Sequence, residues 1–360
     1  MPDTVTLTAL VKRSAQAAGF ELAGVAPVGD FSELQYFPQW IASGYAAQME
    51  YLKARNEAGE LKRSSVKTTF PWARSVIVCA INYNTREPYS TESHDCRQGW
   101  IARYAWGAQD YHDAVLRRLS LVAQNLRAGL GAPSSSEATE LKTRCYVDTG
   151  PVVERVYAKY AGIGWTGKNT CLLNQKLGSW LFLGVILTSL ELQADRPPED
   201  RCGSCTRCID ACPTHALVAP YELDANKCIS YLTIEARGAI PEALREGIGR
   251  QVFGCDICQD VCPWNHKSAV TEAAEFQARP GLVNPALDWL AEMDEEGFRR
   301  TFKGSAVKRA KYEGFRRNLA IALGNSGDRS FRPVLETMTG DRDSVVADSA
   351  RWALRKLQES

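Results

Sequence analysis

The sequence is short of the features that send a chain into a membrane, along an export route or onto a polyanion by bulk charge. Its longest apolar run, WLFLGVILTSL from Trp180, falls well below the roughly 20 residues that a membrane-spanning helix needs, and it reads as a buried strand. The opening residues MPDTVTLTALVKR have no basic region followed by an apolar one and no twin arginine, so neither a signal peptide nor a twin-arginine leader is expected. Net charge is +1, which advertises no nucleic-acid or membrane partner by overall balance and leaves local patches open. The one G-x-G-x-x-G, GIGWTG at residues 162–167, follows an expected helix and not a strand, so a Rossmann dinucleotide site has no support. GIGWTGKN, residues 162–169, approaches a phosphate-binding loop. Asn169 stands where serine or threonine belongs, and no strand is expected before it, so a nucleotide site is rejected.

Cysteine, by contrast, is plentiful. Of twelve in the chain, eight lie between Cys202 and Cys262. A long chain without an export signal is expected to keep them reduced, in the cytoplasm. CGSCTRCIDACP supplies Cys202, Cys205, Cys208 and Cys212 followed by Pro213, the complete bacterial ferredoxin run C-x2-C-x2-C-x3-C-P. Zinc prefers paired C-x2-C knuckles separated by a longer stretch, so zinc is disfavoured. VFGCDICQDVCPWN repeats only the back of the run, with Cys255, Cys258 and Cys262-Pro263, and Val252 where the first cysteine belongs. In two-cluster ferredoxins the cysteine before proline ligates the other cluster. One cluster then takes Cys202, Cys205, Cys208 and Cys262, and the other takes Cys255, Cys258 and Cys212. The second is one ligand short. Cys228, in NKCISYLTIE, is the best candidate to complete it, and a three-iron cluster with a vacant corner is the alternative. Cys79, Cys96, Cys145 and Cys171 fall outside the motifs and are expected to be structural thiols.

Around this region the chain reads as mixed helix and strand. A helix is expected over Thr6–Ala18, strands over FELAGVAPV and SVIVCAINY, and a helix over DYHDAVLRRLSLVAQNLRAGL with Val115, Leu119, Val122 and Leu126 on one face. A loop over APSSSEATE, a strand through LKTRCYVDTGP, a helix over VVERVYAKYAGIG and a strand over GSWLFLGVILTSL follow. These give an N-terminal α/β or α+β domain over residues 1–190. ELQADRPPED reads as a linker into a ferredoxin-like, cysteine-rich domain over 191–267. Residues 268–360 read as helical, and GFRRNLAIALGNSGD and DSVVADSARWALRKLQ suggest a HEAT-like stack. Ala320, Leu323, Val346, Ala350, Ala353 and Leu357 mark its apolar faces.

Three further stretches bear on chemistry. DYHDAV resembles the D-x-H-x-x-G run of histidine-on cobalamin proteins, but Val115 replaces the glycine, and His112 is expected to be an ordinary polar residue on a helix face. In YVDTGP, Asp148 ends an apolar strand at a Gly-Pro turn. Such a carboxyl can donate a proton, but by local sequence a turn cap is the simpler reading. GFRRTFKGSAVKRAKYEGFRR, residues 297–317, gathers Arg299, Arg300, Lys303, Lys308, Arg309, Lys311, Arg316 and Arg317 against Glu313, with Phe298, Phe302, Tyr312 and Phe315 interleaved. In a neutral chain that concentration suits phosphate contacts with RNA.

Taken together, SVIVCAINY, RYAWGAQDYH, YVDTGPVVER, AGIGWTGKNT, GSWLFLGVI, the two cysteine motifs, NKCISYLTIE and the helical tail resemble the epoxyqueuosine reductase family nearly end to end. The resemblance implies a cobalamin in the N-terminal domain and two [4Fe-4S] clusters held by the eight cysteines, Cys228 included. It also implies a tRNA substrate carrying epoxyqueuosine, an external electron donor and a monomeric chain. It maps the family's proton donor onto Asp148 and places Ser230 and Asp256 near the cobalamin. The strand motif often reads F-L-G-E in the family and here has Val185, which is assigned no role. A dehalogenase-like corrinoid enzyme and a pure electron carrier are the competing readings. The missing twin-arginine leader and the basic tail count against the first, and the large N-terminal domain against the second.

Overall fold

The computed structural model describes residues 3–130 and 141–359; the expected loop APSSSEATE lies outside them. The described residues pack as two compact units. The first comprises residues up to Asn84, His112–Cys205 and Lys267–Val270. The second comprises Thr85–Tyr111, Thr206–His266 and residues from Thr271 onward.

The first unit is built on a four-stranded sheet in the order Leu22–Pro27, Ser75–Asn82, Leu181–Thr188, Thr143–Tyr146. Every pairing in it is antiparallel, so this unit is of α+β type and the parallel α/β alternative is not what forms. Ser75–Asn82 is central and buried at all eight positions. Its β-branched run lets both faces pack, as a strand covered on two sides requires. Val76, Val78 and Ala80, with Val185 and Leu187 of the neighbouring strand, pack in one core with Val156, Tyr157 and Ala158 of the helix Glu154–Tyr160. Val185, paired with Val78, is fully buried there, as an apolar residue in that place should be.

The helix Tyr111–Leu130 buries Val115, Leu119, Val122 and Leu126, the expected face. The first helix runs Thr4–Ala17 and starts earlier than the apolar spacing suggests, because the Asp3 carboxylate accepts from the Thr6 amide at 2.7 Å and caps it. ELQADRPPED has no regular structure, but it is not a loose tether. Asp195 accepts from Lys12 Nζ at 2.5 Å and from the Val25 amide at 2.9 Å, and its own amide donates to the Val25 carbonyl.

In the second unit, Gln251–Phe253 pairs in parallel with Trp100–Ile101. Helices Lys311–Asn325, Arg332–Met338 and Ser344–Glu359 pack together. The expected apolar positions Ala320, Leu323, Val346, Ala350, Ala353 and Leu357 are all buried. Asn318, fully buried, donates to the carbonyls of Thr233 and Val252 and ties this bundle to the cysteine-bearing segments. No helix among the described residues is long and apolar enough to cross a membrane.

Candidate functional site

The two cysteine motifs fold alike at a spacing of fifty residues. Asp210 and Ala211 donate to the carbonyls of Thr206 and Arg207, as Asp260 and Val261 do to Asp256 and Ile257. Cys212 donates to Ile209 and is capped in turn by His215, and Cys262 stands likewise between Gln259 and Asn265. The short helices Arg207–Asp210 and Ile257–Asp260 pack against one another. Under this superposition Val252 takes the place of Cys202. It is fully buried in the strand Gln251–Phe253, and its carbonyl accepts from Asn318. Position 252 is therefore a core strand residue. Cys228 stands at the N-terminal end of the helix Ile229–Ile234 within the same unit.

The sulfurs fit thiolate ligation. The Ala216 amide lies 3.3 Å from Cys212 Sγ. Burial pushes the Cys255 thiol well up, while an amide of Ile257 donates to its sulfur and opposes this. Burial also raises Cys202, opposed by donors from Lys168 and Trp165. Oriented N–H groups of this kind favour an anionic, metal-bound sulfur. Among the described residues no three His, Cys, Asp or Glu side chains are grouped to hold a single ion. Ligands of one zinc would stand about 4 Å apart, closer than thiolates at the corners of a cubane. None of the twelve cysteines forms a disulfide. Outside the motifs Cys79 is buried, Cys145 and Cys171 are half-buried, and Cys96 is exposed. Burial pushes Cys145 up to about 11, as suits an inert structural thiol.

A second constellation sits at the end of the strand Thr143–Tyr146. Asp148 has a left-handed backbone, φ +58°, a conformation that aspartate tolerates better than most residues, and its side chain is 59% exposed. His112 Nε2 lies 3.8 Å from Asp148 Oδ2. His112 is therefore not an ordinary polar residue on a helix face, as its sequence context suggests. The tertiary fold brings it to Asp148. Glu154, a few residues on, is a buried carboxyl pushed up to about 7 by burial and then by the charge of Asp148.

A third cluster lies within the second unit. Asp256 is 2% exposed, and its Oδ2 accepts from the Trp100 indole at 3.0 Å and from the Arg103 amide at 2.7 Å. The Arg103 guanidinium, itself buried, donates to the carbonyls of Thr85, Glu87 and Pro88. Asp260 accepts from the amide and the hydroxyl of Ser90. Burial raises both carboxyls; at Asp260 the Asp256 charge adds to it, and at Asp256 the Arg103 amide opposes it. Ser230 Oγ stands 3.4 Å from the Cys255 carbonyl. Asp256 thus fixes the start of the second motif with its side chain. No local sequence signal announces Trp100 and Arg103 as its partners.

Comparison with known proteins decides what these parts belong to. The family model described as Epoxyqueuosine reductase QueG, DUF1730 matches residues 63–149, and that of a 4Fe-4S double cluster binding domain matches residues 201–265. An epoxyqueuosine reductase of Xanthomonas campestris pv. campestris is 38% identical over 98% of this chain and 97% of its own length. That of Synechocystis sp. is 44% identical over 83% of this chain and 99% of its own. The chain belongs to the epoxyqueuosine reductase family. A crystal structure of an epoxyqueuosine reductase with a tRNA-Tyr epoxyqueuosine-modified tRNA stem loop matches with TM-score 0.86 at 30% identity, over 98% of this chain and 90% of that one. The Streptococcus thermophilus epoxyqueuosine reductase matches with TM-score 0.83 at 27% identity, over 97% and 90%.

This member of the epoxyqueuosine reductase family does not present its basic stretch as one uniform surface. Arg317 is 2% exposed, and its guanidinium donates to the carbonyls of Leu232, Ala236 and Gly238 at 2.6–2.9 Å. It is a structural arginine, which corrects the expectation of a phosphate contact. Arg316 pairs with Asp341 at 3.0 Å and is largely covered. Arg309 pairs with Glu235, and Arg299 and Arg300 pair with Glu295 and Glu296 one turn back while staying about three-quarters exposed. Lys303, Lys308 and Lys311 are exposed. Phe298, Phe302 and Phe315 form a buried cluster with ring centroids 5.1–5.8 Å apart, so these aromatics are core and no platform for bases.

Proposed function

We propose that this chain reduces epoxyqueuosine to queuosine in the anticodon loop of tRNA, the last step in making queuosine, using a cobalamin supplied with electrons by two [4Fe-4S] clusters. Membership of the family carries the reading, and the repeated cysteine motif and the Asp148 corner supply the local chemistry. We assign Cys202, Cys205, Cys208 and Cys262 to one cluster and Cys212, Cys228, Cys255 and Cys258 to the other.

Removing the epoxide oxygen consumes two electrons and two protons and leaves an alkene and water. Low-valent cobalt in a bound corrinoid supplies a nucleophile or reductant that no side chain can provide. The residues present fit that group on its reactive side only. Asp148 offers an outward-facing carboxyl, whereas the DYHDAV run offers no cobalt ligand, because His112 faces Asp148 and Val115 is buried core. Asp148 gives its proton to the departing oxygen, and His112 orients it. Ser230 and Asp256 would contact the cofactor, with Asp256 held in place by Trp100 and Arg103 through its Oδ2. Arg299, Arg300, Lys308 and Lys311, with Lys303, supply the phosphate contacts to tRNA, and the helical tail acts as a HEAT-like platform. The target base must leave its stack to be reached, as for other base-modifying enzymes. A cytoplasmic monomer served by an external electron donor completes the reading.

Mass spectrometry of nucleosides from tRNA of a deletion strain tests it. Epoxyqueuosine should accumulate and queuosine should vanish, and the intact gene should restore queuosine. Absence of the epoxide from that strain would reject the function.

A further inference from the structure

The loop GIGWTGKN binds no nucleotide by its motif, yet it is held in a defined shape within the first unit. Trp165–Thr166 pairs antiparallel with Leu172–Leu173. Gly167 and Cys171 close the turn at 2.8 Å, and Asn169 Oδ1 accepts from the Cys171 amide. The glycines are packing requirements of this hairpin. A Cβ on Gly164 would stand 2.2 Å from the Leu173 carbonyl oxygen, and one on Gly167 would stand 2.7 Å from both Leu173 and Asn169. No phosphate cradle is needed to explain them.

What the loop presents is a set of donors to the first cysteine pair. Lys168 Nζ donates to the carbonyl of Gly203 at 2.7 Å and to that of Cys205 at 3.0 Å. Trp165, in the first strand of the same hairpin, is 2% exposed and anchors it. The Cys202 amide is held by Asp200 at 2.7 Å. One hairpin therefore supplies an ammonium to the bend between two ligands.

We propose that Lys168 is a positioning residue that raises the reduction potential of the cluster ligated by Cys202 and Cys205. Reduction adds one negative charge to a cluster, and a nearby cation stabilises the reduced state. Lys168 thus makes this cluster easier to reduce than it would be without the ammonium. The inference rests on the two-cluster reading above, and iron content separates the two. Wild-type protein reconstituted anaerobically without iron–sulfur signals would sink that reading itself.

Anaerobic redox titration followed by electron paramagnetic resonance tests the inference, on full-length reconstituted wild type, Lys168→Met and Lys168→Arg. With iron content equal to wild type, Lys168→Met should move one cluster to a more negative midpoint and leave the other in place. Lys168→Arg, which keeps the charge, should restore most of the shift. Loss of one cluster's iron in Lys168→Met alone, with retention in Lys168→Arg, would also support the assignment. Midpoints unchanged at full iron content in Lys168→Met, or moved equally for both clusters, would overturn it.

Discussion

His112 Nε2 lies 3.8 Å from Asp148 Oδ2, joining the start of a long helix to a left-handed residue at the end of a short strand. Under the proposed function Asp148 donates the proton and His112 orients it. Asp148→Asn keeps the shape and removes the transferable proton. It should lower turnover by roughly 10²-fold or more while tRNA binding and iron content stay at wild-type values. His112→Asn should cost less, because it acts through Asp148. Single-turnover conversion of epoxyqueuosine by pre-reduced protein measures both, and equal rates for wild type and Asp148→Asn would exclude this role.

Glu154 makes stability depend on pH. Its folded value is raised from 4.5 to about 7, so its favourable contribution is fully present below pH 4.5 and is lost as pH rises through 7. The shift corresponds to on the order of 3 kcal/mol. Glu154→Gln removes this dependence. The variant should match wild type near pH 4 and exceed it in stability increasingly up to pH 7, with the difference level above that. Urea unfolding at a series of pH values checks this; a difference that stays constant from pH 5 to pH 8 would contradict it.

The basic stretch divides into residues that hold the fold and residues that can meet RNA. Burial pulls the Arg317 guanidinium down to about 10, and its three carbonyl partners would be stranded by substitution. Arg317→Met should destabilise the protein by on the order of 3 kcal/mol. Lys308→Glu with Lys311→Glu should leave stability and iron content unchanged and weaken tRNA binding. It should also flatten the salt dependence by about one unit of slope for each phosphate no longer neutralised. Unaltered binding at every salt concentration would remove these lysines from the interface.

What the sequence disclosed and what it hid follow from the range of each interaction. Ser75–Asn82 was legible because a strand buried on both faces must be apolar along its whole length. The cysteine motifs were legible because ligand geometry fixes their spacing locally. The pairing of His112 with Asp148 was not, since it joins residues of two elements far apart in the chain. Arg317 misled for the same reason. A run of charge says nothing of Leu232, Ala236 and Gly238, whose carbonyls take it inside, or of Glu235 and Asp341, which neutralise its neighbours. Asp256 reads as a site residue, but its indole and amide partners lie far away in sequence.

Val252 gives the sharpest test of the ligand assignment. By the fifty-residue repeat it takes the place of Cys202, yet it is a fully buried strand residue whose carbonyl is bound by Asn318. A thiol introduced there would face the core. Cys228→Ser should therefore lower iron from about eight per chain and alter one cluster's signal, and Val252→Cys added to it should not restore the missing iron. Val252→Cys alone should keep both clusters and lose only packing, since a smaller side chain replaces valine in a closed core. Full iron content in Cys228→Ser alone would free Cys228 of the cluster, and recovery in the double variant would show that position 252 is open to it.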